Sequence, residues 1–154
     1  MPVCRQSETQ VLPDILVRYV RTGKVKLVAH PLAFIGPTDS IRGRNAMIAA
    51  AAQNRAFNFA ELLYFNQGTE NTGWLNKEMV VKAATSVPGL HVHQLLDARK
   101  SAAISGLAAH YEALGTADKV TGTPTFIVRP SLGGGMTTTL VSPSEQQLAA
   151  ALDS

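Results

Sequence analysis

The sequence predicts a mixed α/β fold in which a large block of helices separates the two parts of a sheet. Strand-like patterns lie at residues 24–30, 125–129 and 137–141, and helical patterns fill most of 39–114. A long connection between two strands favours a parallel pair, whereas a short glycine-rich loop favours an antiparallel hairpin. We therefore expect a mixed sheet whose first and later strands are separated by helices.

The amino-terminal third predicts one helix followed by one strand. Between residues 4 and 22, apolar side chains recur at helical spacing, namely Leu12, Ile15, Leu16, Tyr19 and Val20. Gly23 is placed to end this helix, and Pro13 removes a backbone donor inside it, so we expect a kink there. The next run, Lys24 to His30, alternates and then becomes apolar, which is typical of a core strand.

The middle of the chain, residues 39–115, predicts a helical domain. Asn76 is suited to open its third helix, and Gly115 is suited to end its fourth. The four expected helices cover residues 40–54, 57–65, 77–85 and 94–114.

The carboxyl-terminal part predicts a hairpin and one helix. The β runs at 125–129 and 137–141 are joined by a glycine-rich turn at 133–135. Ser142 or Ser144 caps a final helix. The domain organisation expected from these patterns is one sheet domain made of 1–38 and 116–154, with 39–115 as the helical domain.

Composition excludes several classes of protein. The chain has 154 residues, 45% hydrophobic and 16% charged, which is typical of a globular fold. No apolar run approaches the roughly 18 residues of a membrane span, so we expect none in this chain. A single cysteine excludes a disulfide scaffold or a cysteine-rich zinc site, and we expect no metal. The net charge is +3, but the basic residues are not interleaved with aromatic residues as they are in proteins that bind single-stranded nucleic acid. We therefore expect no nucleic acid as a partner.

Two short motifs carry chemistry, and they lie at opposite ends of the chain. The first is Pro2-Val3-Cys4 at the start of a predicted helix. A thiol there is close to the positive end of the helix dipole, which lowers a cysteine pKa and favours the thiolate. The second is Gly122-Thr123-Pro124-Thr125-Phe126, where a proline directly precedes a strand. A proline in that place cannot donate to a sheet ladder, and a cis bond is one way to make the sharp entry.

In these motifs and in element order, the chain resembles the DsbA-like branch of the thioredoxin-fold thiol–disulfide oxidoreductases. The family's site is Cys-Pro-x-Cys at a helix start, with a kinking proline later in that helix. Pro2-Val3-Cys4 matches its last three positions, and Pro13 matches the kink. Residues 39–115 are similar to its inserted helical domain, and Thr123-Pro124 is similar to its cis-proline loop. The resemblance covers nearly the whole chain.

The chain departs from this pattern at the position of the first cysteine. Met1 stands there, and the strand that leads into the family's site is absent. One explanation is truncation within the motif, with a longer natural protein. The other is a degenerate member that keeps the fold without the redox couple. We favour truncation, because the first strand belongs in the centre of the sheet and its loss exposes apolar surface and unpaired backbone groups.

The resemblance implies a role for each site residue. Cys4 and Pro124 are the expected catalytic residues, and Pro2, Val3 and Thr123 are expected to bind substrate. Expected partners are cysteine-containing protein substrates and a redox partner protein, with no cofactor. The family's usual location is the bacterial periplasm or another extracytoplasmic space, so we expect that location.

Two other functions remain open. The chain can be a non-catalytic thioredoxin-fold module that binds peptides or an assembly partner beside Pro124. It can also be a glutathione-using relative, in which one thiol or hydroxyl suffices. Substitution of Cys4 by serine distinguishes the first from an enzyme, and calorimetric titration with glutathione tests the second.

Overall fold

The computed structural model describes residues 2–34, 36–132 and 134–154, which divide into two compact units. The first unit consists of residues 2–29 and Val120–Ser154, and the second of His30–Lys119. The chain thus leaves the first unit after residue 29 and returns to it at residue 120. The limits expected from the sequence for the helical part, 39 and 115, both lie within the second unit.

The first unit begins with a helical segment over residues 2–20. Its regular turns are α1 (Pro2–Gln6) and α2 (Leu12–Ile15), and each is followed by a wider π-helical turn. These turns are Ser7–Val11 and Leu16–Val20. The helix therefore starts two residues before the predicted point. After it, the chain turns at Gly23, whose φ of +75° is readily adopted only by glycine.

The sheet of the first unit is an antiparallel hairpin, as predicted. Strand β1 (Thr125–Val128) pairs with β2 (Thr138–Val141), and Phe126 lies opposite Leu140. The turn predicted at 133–135 includes Gly133, which lies outside the described residues.

Within the part of the chain that the structure describes, the segment expected as a strand at residues 24–30 pairs with no other strand. Among the described residues the only sheet is β1 with β2, so the prediction of a parallel pair is wrong for this part of the chain. The burial of the segment still alternates, with Val25, Leu27 and Ala29 half-buried between exposed neighbours. Side-chain alternation requires only an extended backbone, whereas a ladder also requires a neighbouring strand to supply donors and acceptors.

The core of the first unit joins its first helical segment to its last helix. Helix α8 (Glu145–Leu152) is capped by Ser144, whose Oγ accepts from the Gln147 amide at 3.2 Å. The Gln147 side chain accepts from the Ser144 amide at 2.9 Å, which completes a capping box. The fully buried core consists of Val11, Ile15, Tyr19, Leu148 and Ala149. Hairpin side chains pack on it, including Phe126, Val128 and Leu140.

The second unit consists of helices around its own apolar core. Phe59, Val80 and Leu95 are completely buried at its centre. Trp74 is half-buried and packs against the same core. None of the helices in the described ranges has both the length and the hydropathy that a membrane crossing requires. The helices are α3 (Pro37–Ala51), α4 (Ala56–Phe65), α5 (Lys77–Thr85), α6 (Val92–Ala98) and α7 (Ala102–Ala117).

Several helix limits differ from the sequence prediction in this unit, including those of α3, which covers Pro37–Ala51 instead of 40–54. The expected single helix over 94–114 is broken into α6 and α7, because Ser101 starts a new helix by accepting from the Ile104 amide. Gly115 does not end α7, which continues to Ala117. A Cβ at Gly115 would lie 3.1 Å from Leu32, so this glycine allows close packing instead of a turn.

Candidate functional site

The first motif places a buried thiol on the first helix of the molecule. Cys4 lies on α1 with only 7% of its surface exposed. Its Sγ donates a hydrogen bond to Thr123 Oγ1 at 3.3 Å, across 119 positions of sequence. The two motifs identified in the sequence therefore meet at these two side chains, within the first unit.

The second motif forms a braced loop at the start of β1. The peptide bond between Thr123 and Pro124 is cis. Thr125 Oγ1 donates to the Gly122 carbonyl at 2.7 Å, and the Ser142 amide donates to the Pro124 carbonyl at 2.8 Å. These two bonds fix the backbone on both sides of Pro124, so Thr123 is presented from a well-defined loop.

The remaining predicted site residues stand beside Cys4 on α1. Pro2 and Val3 are exposed, and Val3 has 44% of its surface accessible. The helix thus combines exposed apolar side chains with a buried sulfur one residue later. Met1, which stands where the family pattern has its first cysteine, lies outside the described residues.

The chemistry of this arrangement is that of a single enclosed thiol. Since Cys4 is the only cysteine, the chain as written cannot form an internal disulfide. A thiol of this kind can attack a mixed disulfide formed close to it, once it is deprotonated. In the described part of the chain, no three histidine, cysteine or acidic side chains come close enough to hold a metal ion.

Sequence reasoning assigned no role in this site to Thr125, Ser142 or Ser7. Thr125 and Ser142 brace the cis-proline loop, and such contacts depend on the folded hairpin. Ser7 is 6% exposed on the same helical segment as Cys4. Its spacing of three residues from Cys4 was the available signal, because residues three apart share a helix face.

Comparison with known proteins identifies the family. A family model described as thioredoxin matches residues 2–134, which is most of the chain. A search of curated proteins found no match. The matched range includes α1 with Cys4, the whole second unit and the loop of Thr123 and Pro124. On the extent of this match, the chain belongs to the thioredoxin family.

Proposed function

We propose that the chain is a thiol–disulfide oxidoreductase of the DsbA-like kind, in which Cys4 is the resolving cysteine. The observation that carries this proposal is the 3.3 Å contact between Cys4 Sγ and Thr123 Oγ1, directly before the cis bond to Pro124. In a family whose members are often oxidoreductases, a thiol on the first helix next to this loop is suited to disulfide exchange.

The proposed chemistry needs a second thiol at position 1, three residues before Cys4. In the oxidised state the two sulfurs form a disulfide. A substrate thiolate attacks the sulfur at position 1, so a mixed disulfide forms and Cys4 leaves with the bonding electron pair as a thiolate. A second substrate thiolate then attacks the substrate sulfur of the mixed disulfide. The substrate becomes a disulfide, and position 1 leaves as a thiolate. In the reducing direction, the position-1 thiolate attacks a substrate disulfide and releases one substrate thiolate, and Cys4 then resolves the mixed disulfide by attacking the position-1 sulfur, which releases the second.

The burial of Cys4 and the exposure of its neighbours support the roles proposed for these residues. Cys4 is largely enclosed, so a sulfur held next to it reacts with it more readily than a reagent from bulk solvent does. Pro2 and Val3 are exposed next to it, and Thr123 is half-buried on the loop. We assign these three residues to substrate contact, with Thr123 offering backbone to an extended peptide.

The experiment restores the missing thiol. In a chain extended upstream of position 1 and carrying Met1→Cys, we expect catalysed reduction of insulin by dithiothreitol, and oxidation of one equivalent of a dithiol peptide by the variant once it has been oxidised. The matched control is Met1→Cys with Cys4→Ser, which has one thiol in the other position. If the variant is no faster than this control, the proposed reaction is wrong.

A second function is favoured by the cysteine count. With one thiol in 154 residues, the chain as written fits a thioredoxin-fold module that binds extended peptides or a partner beside Pro124. In that case Cys4→Ser leaves binding to a captured partner unchanged. For an oxidoreductase, the same substitution in the Met1→Cys background abolishes turnover.

The substrates and the location follow from the same proposal. We propose cysteine-containing proteins as substrates and a redox protein as the partner that resets the disulfide. An extracytoplasmic bacterial location fits this reaction, because disulfides form and persist in oxidising compartments.

A further inference from the structure

The inward face of the first helical segment changes character along its length. From Val11 through Ile15 to Tyr19, this face is part of the core of the first unit. Nearer the start of the chain, its buried side chains are Cys4 and Ser7, which are 7% and 6% exposed. The amino-terminal end of this face therefore carries a buried thiol and a buried hydroxyl in place of apolar side chains.

Ser7 is unusual because its hydroxyl is buried without a hydrogen-bond partner in the described part of the chain. Its Oγ has no hydrogen-bond partner within residues 2–34, 36–132 and 134–154. A buried serine in a helix commonly donates to a backbone carbonyl one turn earlier, and leaving a donor unpaired is unfavourable. An enclosed donor on the same face as Cys4 is therefore available to an acceptor that forms in another state of the site.

We propose that Ser7 is a positioning residue for the Cys4 sulfur, to which its Oγ–H donates a hydrogen bond when Cys4 is a thiolate. This inference rests on the proposed function, in which Cys4 becomes a thiolate whenever a mixed disulfide forms. As a thiol, Cys4 donates its own hydrogen to Thr123. Once that proton is gone, the sulfur becomes an acceptor, and Ser7 is a neighbour of Cys4 because residues three apart on a helix have Cβ atoms about 5–6 Å apart.

The buried position of Cys4 means that its thiolate needs a hydrogen-bond donor for stabilisation. A buried anion is unfavourable unless hydrogen-bond donors replace the water it has lost. The charged residues nearest in sequence are Arg5, which is exposed, and Glu8, which is half-buried. The residue that reaches Cys4 from the cis-proline loop is Thr123, which is uncharged. Ser7 and Thr123 therefore each bring a hydroxyl group to this part of the site, one from each element.

The test uses the single thiol of the unaltered chain and its alkylation by iodoacetamide as a function of pH. In Ser7→Ala we expect the midpoint of the rate profile to move upward and the rate at neutral pH to fall about tenfold, because a hydrogen bond to a charged group is lost. Threonine and valine at position 7 have the same shape and differ in one hydroxyl. We expect Ser7→Thr to keep the parent profile and Ser7→Val to behave like Ser7→Ala.

Thr9→Ala is the matched control, because it removes a hydroxyl that donates to the Arg5 carbonyl on the same segment. It should leave the profile unchanged. A parent-like profile in both Ser7→Ala and Ser7→Val overturns the inference, and so does a Ser7→Thr profile shifted as far as that of Ser7→Val. Alkylation requires no disulfide exchange, so a negative result here with an active Met1→Cys variant rejects the role of Ser7 alone.

Discussion

The contact between Cys4 Sγ and Thr123 Oγ1 brings the two motifs of the sequence together. Each residue was identifiable from its own motif, since proline marks both. The short distance between them could not be predicted from those motifs, because it depends on how the whole first unit folds. The resemblance to a known family implied the proximity, and local residue patterns alone did not.

Tyr19 gives a prediction about alkaline stability. Its side chain is 3% exposed, and its hydroxyl donates to Asp153 Oδ2 at 2.9 Å. Burial, and next the hydrogen bond to Asp153, raise the pKa of Tyr19 above its ordinary value of 10.0. The stabilisation from this raised pKa is complete below pH 10.0 and is lost as the pH rises through the higher pKa of the folded state.

The check is urea unfolding of the parent and of Tyr19→Phe at pH 8 and at pH 11, values chosen at about two units below and one unit above the ordinary pKa. The parent should lose more unfolding free energy than Tyr19→Phe over this interval, because phenylalanine has no proton to lose. Equal losses in the two proteins would show that the pKa of Tyr19 does not differ between the folded and unfolded states.

At the scale of elements, the capping box of α8 gives a second prediction. The Ser144 side chain accepts from the Gln147 amide, and the Gln147 side chain accepts from the Ser144 amide. Ser144→Ala should lower the unfolding free energy by about 1 kcal/mol, because a first-turn donor loses its acceptor. Ser144→Asp retains an acceptor and should stay close to the parent. Chemical denaturation of the three proteins measures the difference, and an alanine variant as stable as the parent contradicts it.

Local signals predicted some elements well and others only in part. Asn76 correctly marked the start of α5, and its side chain accepts from the Met79 amide. Ser101 is an equally good cap, but it lies inside a run whose apolar spacing continues, so periodicity concealed the break between α6 and α7. At residues 24–30 the pattern predicted the alternation in burial but not the absence of a ladder, because pairing is a property of two strands.

At the scale of the whole molecule, the second unit has its own core and should respond separately to core mutations. Phe59 is fully buried, whereas Phe57 on the same helix is 38% exposed. Phe59→Ala should cost about 3–5 kcal/mol through lost burial and a cavity. Phe57→Ala should cost clearly less. Trp74, the only tryptophan, packs on this core and reports its unfolding by fluorescence. Similar losses in the two variants would contradict the placement of Phe59.

Some residues of the site could be predicted from the sequence, and others depend on the fold of the whole molecule. The two proline motifs predicted Cys4 and Thr123, and the family match covers both. For Ser7 the only signal in the sequence was its spacing of three residues from Cys4, and that spacing does not show that its side chain is buried, as the structure does. The braces at Thr125 and Ser142 likewise depend on the closed hairpin.

The most direct test of the site is an engineered disulfide between helix α1 and the cis-proline loop. In Thr123→Cys, a sulfur replaces the hydroxyl that lies 3.3 Å from Cys4 Sγ, and a shift of roughly 1 Å brings the pair to the disulfide length of about 2.05 Å. Intact mass spectrometry after mild oxidation and alkylation should show one internal disulfide. Thr121→Cys, which is exposed on the same loop, should keep two alkylated thiols. If the folded Thr123→Cys protein also keeps two, Cys4 does not lie beside the cis-proline loop.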